Sequence, residues 1–257
     1  FPYTTLFRSR VGGDVGMLRT EGITKNFGGL TAVNHVTIEV GKGEIVGLIG
    51  PNGAGKTTFL NSIAGTYKPS SGRAFFDDTD TTGAPADIMC RKGMSRTFQI
   101  PIPFPKLTVL ENVMVGAIFG ADHDQTKSPQ RRAIEALDFV RFPLELNEPA
   151  ERLNAVQLKR LDLARALACG PKLLLLDELA SGLTPAELED MMGLIRQIRE
   201  RGVTIIVVEH IMQVIQGICD RVFVLQYGTK IAEGSTSDVL KNPKVIEAYL
   251  GKSEIGY

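Results

Sequence analysis

Between an apolar run, Ile45–Ile49, and an apolar-periodic segment opening at Thr57 lies Gly50-Pro51-Asn52-Gly53-Ala54-Gly55-Lys56-Thr57. These eight residues satisfy G-x-x-x-x-G-K-[ST] in the strand, turn, helix setting that the pattern demands. Gly50, Gly53 and Gly55 permit positive φ and let backbone approach an anion with no Cβ in the way. Successive N–H groups can then point into one concavity, and the positive end of the following helix adds to the attraction. Lys56 is placed to pair with β- and γ-phosphates, and the Thr57 hydroxyl to ligate Mg²⁺. The ligand this loop predicts is a nucleoside triphosphate.

The 257 residues suit one sizeable α/β domain, or a core with a smaller subdomain. With 43% hydrophobic and 23% charged residues the composition is that of a globular chain. Lys+Arg and Asp+Glu are both 29, so the basic excess of a nucleic-acid-binding protein is missing. No stretch approaches the roughly 18 apolar residues of a membrane span. Runs such as Leu173 to Leu176 are strand-sized, so work at a membrane calls for a partner. Cys90, Cys169 and Cys219 are too scattered for a disulfide framework or a zinc pattern and read as buried free thiols.

Residues 1–9 resemble the translation of a sequencing adaptor, and residues 1–16 are expected to be a non-native, disordered extension. Fold signal begins at Met17. Residues 18–24 and 33–40 alternate as antiparallel strands do, on either side of Phe27-Gly28-Gly29. A strand is expected over 73–76. The prolines at 101, 103 and 105 cannot continue a helix or a central strand and mark a boundary. Residues 109–118, 129–140 and 151–168 have helical spacing, with a polar loop at 120–128. A helical subdomain over 100–165 is the simplest account, inserted into a core of residues 17–99 and 166–251, with a tail at 252–257.

The core resumes with four leucines, 173–176, a strand buried on both faces as in a parallel sheet, ending in Asp177-Glu178. Ligands bind at the carboxyl edge of such sheets. Thr184-Pro185-Ala186-Glu187 reads as a capping box with proline in the first helical turn. Leu188, Met192, Ile195 and Ile198 form the buried stripe that follows. Residues 203–208 form another interior strand, ending in Glu209-His210; 221–233 suggests a closing strand pair around Tyr227-Gly228, and Pro243–Leu250 a terminal helix.

An apolar strand ending in Asp-Glu is the second half of a nucleotide-hydrolysis site. Asp177 can hold Mg²⁺ through water while Glu178 acts as base toward the attacking water. His210, at the end of the next strand, can reach a γ-phosphate from the same sheet edge. Gln99, just before the prolines, can set an amide near Mg²⁺ and couple nucleotide state to rotation of the helical subdomain. Phe27 can stack on a base, although a core position is the simpler reading of an isolated Phe.

This order of motifs, over residues 17–251, closely resembles the ATP-binding cassette (ABC) family of transporter ATPases. The resemblance implies a P-loop NTPase core, with a mixed, largely parallel sheet flanked by helices, an antiparallel β subdomain and an inserted helical subdomain. It assigns residues 50–57 to Walker A, with Thr58 beside them, Phe27 to the adenine-stacking aromatic, and Gln99 to the Q-loop. Residues 173–178 become Walker B with its catalytic Glu178, Ser181 to Thr184 the D-loop, and His210 the switch histidine. Finer wording is similar to the ATPase subunit of branched-chain amino acid importers. It includes Phe27-Gly28-Gly29-Leu30-Thr31-Ala32-Val33, Arg96-Thr97-Phe98-Gln99, Glu209-His210-Ile211-Met212 and residues 107–113 and 245–251.

Two departures stand out. The signature, usually L-S-G-G-Q or L-S-Y-G-Q, reads Leu153-Asn154-Ala155-Val156-Gln157 here, and Leu179 stands where the family more often has proline. In the family the signature segment contacts ATP held by the opposite subunit. The resemblance therefore implies a homo- or heterodimer on the cytoplasmic face of the inner membrane, a transmembrane permease whose coupling helix enters the groove beside the helical subdomain, and indirectly a periplasmic binding protein. The alternatives are a weakly catalytic subunit of a heterodimer, and another cargo such as urea or lipopolysaccharide. A soluble repair or translation ATPase would carry two cassettes or a long coiled coil, and neither is present.

Overall fold

The computed structural model describes residues 16–121, 126–143 and 145–250. The expectations for residues 1–15, for the middle of the 120–128 loop and for the tail lie outside the described residues.

The chain begins with β1 (Leu18–Phe27), β2 (Leu30–Val36) and β3 (Glu39–Val40), followed by β4 (Ile45–Ile49) and α1 (Lys56–Ile63). Next come β5 (Ser71–Phe76), β6 (Thr79–Asp80), α2 (Ala86–Arg91) and β7 (Met94–Arg96). Three helices follow, α3 (Val109–Phe119), α4 (Pro129–Phe139) and α5 (Ala155–Ala168). The remainder runs β8 (Leu173–Asp177), α6 (Pro185–Glu200), β9 (Thr204–Val208), α7 (Met212–Ile218), β10 (Arg221–Gln226), β11 (Thr229–Gly234), α8 (Thr236–Val239) and α9 (Pro243–Leu250).

Two sheets result. One has the order β2-β1-β5-β6, with β3 also on β1, and is antiparallel throughout. The other has the order β11-β10-β4-β9-β8-β7, parallel from β10 to β7 with an antiparallel β11 at its edge. The loop after β4 therefore emerges between the carboxyl ends of β10 and β9, the setting in which parallel sheets bind ligands.

The uninterrupted apolar runs of β8 and β9 follow from burial on both faces. Leu173 and Leu175, with Ile206 and Val208, pack with Phe59 and Leu60 of α1. Leu174 and Leu176, with Ile205 and Val207, pack with α5, α6 and the helices of the 109–140 region. Side chains alternate across a strand, so Asp177 continues the parity that faces α1. The same cluster holds Val109, Val113, Ala133 and Leu137, so the helical segment shares one core with the sheet. Helix α5 passes residue 165 unbroken.

The α6 capping box is present: Thr184 N donates to Glu187 Oε2 at 2.8 Å, and Glu187 N donates to Thr184 Oγ1 at 3.4 Å. Helices α2, α7 and α8 went unforeseen because four to seven residues complete too few turns to leave a 3.6-residue pattern. The thiols are free, but only Cys169 is buried; Cys90 and Cys219 are half-buried.

Leu174 has no solvent exposure, so Leu174→Ala should cost about 2–5 kcal/mol, read as a fall in the urea midpoint of unfolding.

Candidate functional site

The phosphate loop is built where no side chain would fit. Gly50 has φ 149°, and a Cβ there would lie 2.1 Å from the Leu225 carbonyl oxygen at the end of β10. Gly55 has φ 97°, and its Cβ would lie 2.4 Å from Ala32 O on β2. Gly228 N donates to Ala54 O at 2.9 Å, and Asn34 N to Gly228 O at 2.8 Å, so loop, β10–β11 turn and β2 are bound together. Helix α1 starts at Lys56 with Gly55 as its cap and no side-chain cap bond, which leaves its first N–H groups for a ligand.

A cavity of about 580 Å³ opens over this loop. Asn52, Gly53, Ala54, Gly55, Lys56, Thr57, Thr58, Gln99 and Glu178 all line it. Residues far apart in sequence are thus gathered at one place. Leu30, Thr31, Ala32 and Tyr227 complete the wall. Sequence reasoning did not select these four as site residues; the Tyr227-Gly228 turn, with positive φ at both residues, was the available signal.

Lys56 is buried, and its ammonium donates to the carbonyls of Gly50 at 2.7 Å and Pro51 at 3.0 Å. Burial lowers its pKa, opposed by the charges of Glu178 and Asp177. Asp177 is 2% exposed. Its Oδ2 accepts from Arg96 Nη2 at 3.1 Å, while Oδ1 is buried without a hydrogen-bond partner. Burial raises the Asp177 pKa, and Arg96 opposes the rise. A buried carboxylate oxygen with no donor at the end of β8, and an exposed threonine at the start of α1, have the oxygen chemistry that suits a hard cation. Thr57 and Asp177 therefore fit Mg²⁺.

Glu178 leaves the strand in the left-handed region, φ 48°, a conformation that costs a non-glycine residue about 1–3 kcal/mol. Its Oε2 accepts from Gln99 Nε2 at 2.5 Å, which joins the segment after β7 to the end of β8. Glu178 N donates to Val208 O at 2.9 Å, so β9 is its immediate neighbour. His210 lies two residues beyond Val208 at that same sheet edge, exposed and outside the cavity wall.

Phe27 ends β1 at 43% exposure, also outside the wall. It meets Tyr67 edge to face at 5.3 Å, with Lys25 Nζ 5.1 Å from its ring centre. Asn154 caps α5, accepting from Gln157 N at 3.0 Å while Asn154 N donates to Gln157 Oε1 at 2.8 Å. Asn154 and Ala155 are exposed, Val156 and Gln157 half-buried, and none of the four lines the cavity of its own chain.

Gly50→Ala should weaken ATP binding at least about tenfold, equivalent to about 1.4 kcal/mol, because backbone must move to admit the methyl group. Gly53→Ala meets no atom within 4 Å and carries only the backbone strain of φ 76°, so it should lose less. Equilibrium ATP titration of the two variants reads the difference.

Comparison with known proteins agrees with this geometry. Residues 33–181 match the family described as ABC transporter, and residues 229–255 match that described as branched-chain amino acid ATP-binding cassette transporter. The high-affinity branched-chain amino acid transport ATP-binding protein LivG of Escherichia coli K12 is 39% identical, the match covering 92% of this chain and 98% of that protein. A nucleotide-free ATP-binding cassette from an ABC transporter superposes with TM-score 0.84 at 32% identity, covering 92% of this chain and all of the other. A dimeric cassette in a post-hydrolysis state, bound to ADP and Pi, superposes with TM-score 0.77 at 29% identity, covering 86% and 99%. With motif order, fold and more than half of its length in agreement, the chain belongs to the ABC transporter family of ATP-binding proteins.

Proposed function

We propose that the chain is the ATP-hydrolysing subunit of an importer for branched-chain amino acids, acting as a dimer beneath a separate membrane permease. The observation that carries the reading is the Gln99–Glu178 contact, made in the wall of the cavity that the phosphate loop floors. The cargo rests on the name of the Escherichia coli relative and on the match at residues 229–255. No described helix is long and apolar enough to cross a membrane, and a peripheral position on its cytoplasmic face follows from the permease partnership.

In this reading the N–H groups of residues 52–58 cradle the phosphates, and Lys56 leaves the Gly50 and Pro51 carbonyls to pair with them. Thr57, Asp177 and Gln99 would hold Mg²⁺, which when bound neutralises charge on the β- and γ-phosphates. Glu178 accepts the proton of the attacking water, and Lys56 and His210 stabilise the charge on the departing phosphoryl group. Most of the catalysis is positioning and electrostatics. Phe27 and Tyr67 offer aromatic faces to adenine beside the cavity. Asn154, Ala155, Val156 and Gln157 present the start of α5 to ATP held by the second subunit, identical or not.

An apolar groove of about 350 Å³ lies between α2 and β7 on one side and α3 and α5 on the other, lined among others by Phe98, Phe104, Phe119 and Gly116. Ile100 and Ile102, in the segment between Phe98 and Phe104, are 76% and 71% exposed. This is the proposed seat of the permease's coupling helix, and through the permease the chain would respond to a periplasmic binding protein. A second reading, a weakly catalytic member of a heterodimer, is favoured by the branched side chain of Val156 in the signature.

Glu178→Gln should lower steady-state hydrolysis by roughly 10²–10⁴-fold while leaving ATP affinity intact, and should accumulate an ATP-bound dimer on size exclusion. Undiminished turnover in that variant would remove Glu178 from its role.

A further inference from the structure

The turn that carries Glu178 is held from two sides by buried charges that the mechanism above does not use. Glu209, 1% exposed just beyond β9, accepts from Ala180 N through Oε1 at 2.7 Å. Its Oε2 is buried without a hydrogen-bond partner. Lys159, 8% exposed on α5, donates to Leu179 O at 3.0 Å and also to Ser181 O. Burial lowers the Lys159 pKa, and the charge of Glu209, first, and of Glu178 opposes that fall.

Three consecutive residues after Glu178 are thus pinned by their backbone polar groups. Leu179 and Ala180 are also buried, at 3% each. Such pinning is what a strained residue requires, because φ 48° at Glu178 persists only where its surroundings over-determine it. The proline that the family more often carries after the catalytic Glu would restrict this turn covalently; here Leu179 leaves that work to noncovalent contacts.

Helix α5 also holds the segment of Gln99, the partner of Glu178. Asp162, three residues after Lys159, accepts from Phe98 N through Oδ2 at 2.8 Å, next to Gln99. Residues 159 and 162 lie on one helix face, so a single rigid element fixes both sides of the Gln99–Glu178 contact.

We infer that Lys159 and Glu209 are positioning residues for hydrolysis: together they hold the Glu178 turn in the left-handed conformation that delivers its carboxylate to the cavity, and Lys159 ties that turn, through the Leu179 and Ser181 carbonyls, to the helix opened by Asn154. The inference rests on Glu178 being the base. Engagement of the α5 N-terminus by a second subunit then bears directly on the position of Glu178 in the same chain.

The test is steady-state hydrolysis and equilibrium ATP binding of the full chain carrying Lys159→Met, Lys159→Arg, Glu209→Ala, the Lys159→Met/Glu209→Ala double substitution, or Glu178→Gln. Displacing the carboxylate by about 1 Å should lower kcat on the order of 10²-fold in Lys159→Met and in Glu209→Ala, with KM and ATP affinity unmoved. Lys159→Arg, which keeps a charged donor, should recover most of the loss, and the double variant should be no slower than the worse single one. Unchanged kcat in Lys159→Met, loss of ATP affinity in place of kcat, or losses that multiply in the double variant would each overturn the inference. Should Glu209→Ala fail to fold, the contrast of Lys159→Met with Lys159→Arg decides alone. An active Glu178→Gln overturns the underlying reading; an inactive Glu178→Gln beside a fully active Lys159→Met overturns this inference only.

Discussion

Backbone meets backbone at the phosphate loop, and the rest of the site depends on that approach. Gly50 rides against the Leu225 carbonyl and Gly55 against the Ala32 carbonyl, at separations a Cβ cannot enter. The loop is thereby fastened to the end of β10 in the parallel sheet and to β2 in the antiparallel one, with the Gly228 and Asn34 amides closing the arrangement. Both sheets must be in place for the cavity to have walls: Leu30, Thr31 and Ala32 come from one and Tyr227 from the other.

The catalytic side of the cavity is organised differently, by charge held in low-dielectric surroundings. Arg96 is 11% exposed on its side chain and pairs with the 2% exposed Asp177, leaving one carboxylate oxygen without a donor. An oxygen so buried costs stability until a donor or a cation meets it, which is the ground for proposing Mg²⁺ there. Next to it Glu178 is strained, and its amide partner Gln99 belongs to the segment that leads into the helical region. Asp162 accepts from Phe98 N and from Arg165, so α5 anchors that segment as well. Helix α5 is thus bonded to both segments that meet in the Gln99–Glu178 contact.

The signature departure takes on a different weight in three dimensions. Asn154 is among the best helix caps, and its reciprocal bonds with Gln157 satisfy the first turn of α5 as a serine would. The helix start is therefore capped as the family's serine would cap it, and the change is concentrated in the bulk of Val156.

Where a requirement is local, the sequence alone was sufficient. Positive φ at a phosphate loop, strands buried on both faces, and a capped helix after Thr184 each leave a mark within a few residues. The parallel sheet could be named that way, and residues 52–58, Gln99 and Glu178, proposed as site residues on the same local marks, do line one cavity. What tertiary structure alone decided is which distant groups share a space. Tyr227 and Leu30 join the cavity wall, Phe27 turns to Tyr67, and Lys159 and Glu209 close on the turn of Glu178. Such contacts depend on sheet order and on the placement of α5 against it, and side chains that meet only through packing carry no periodicity or spacing by which a sequence could announce them.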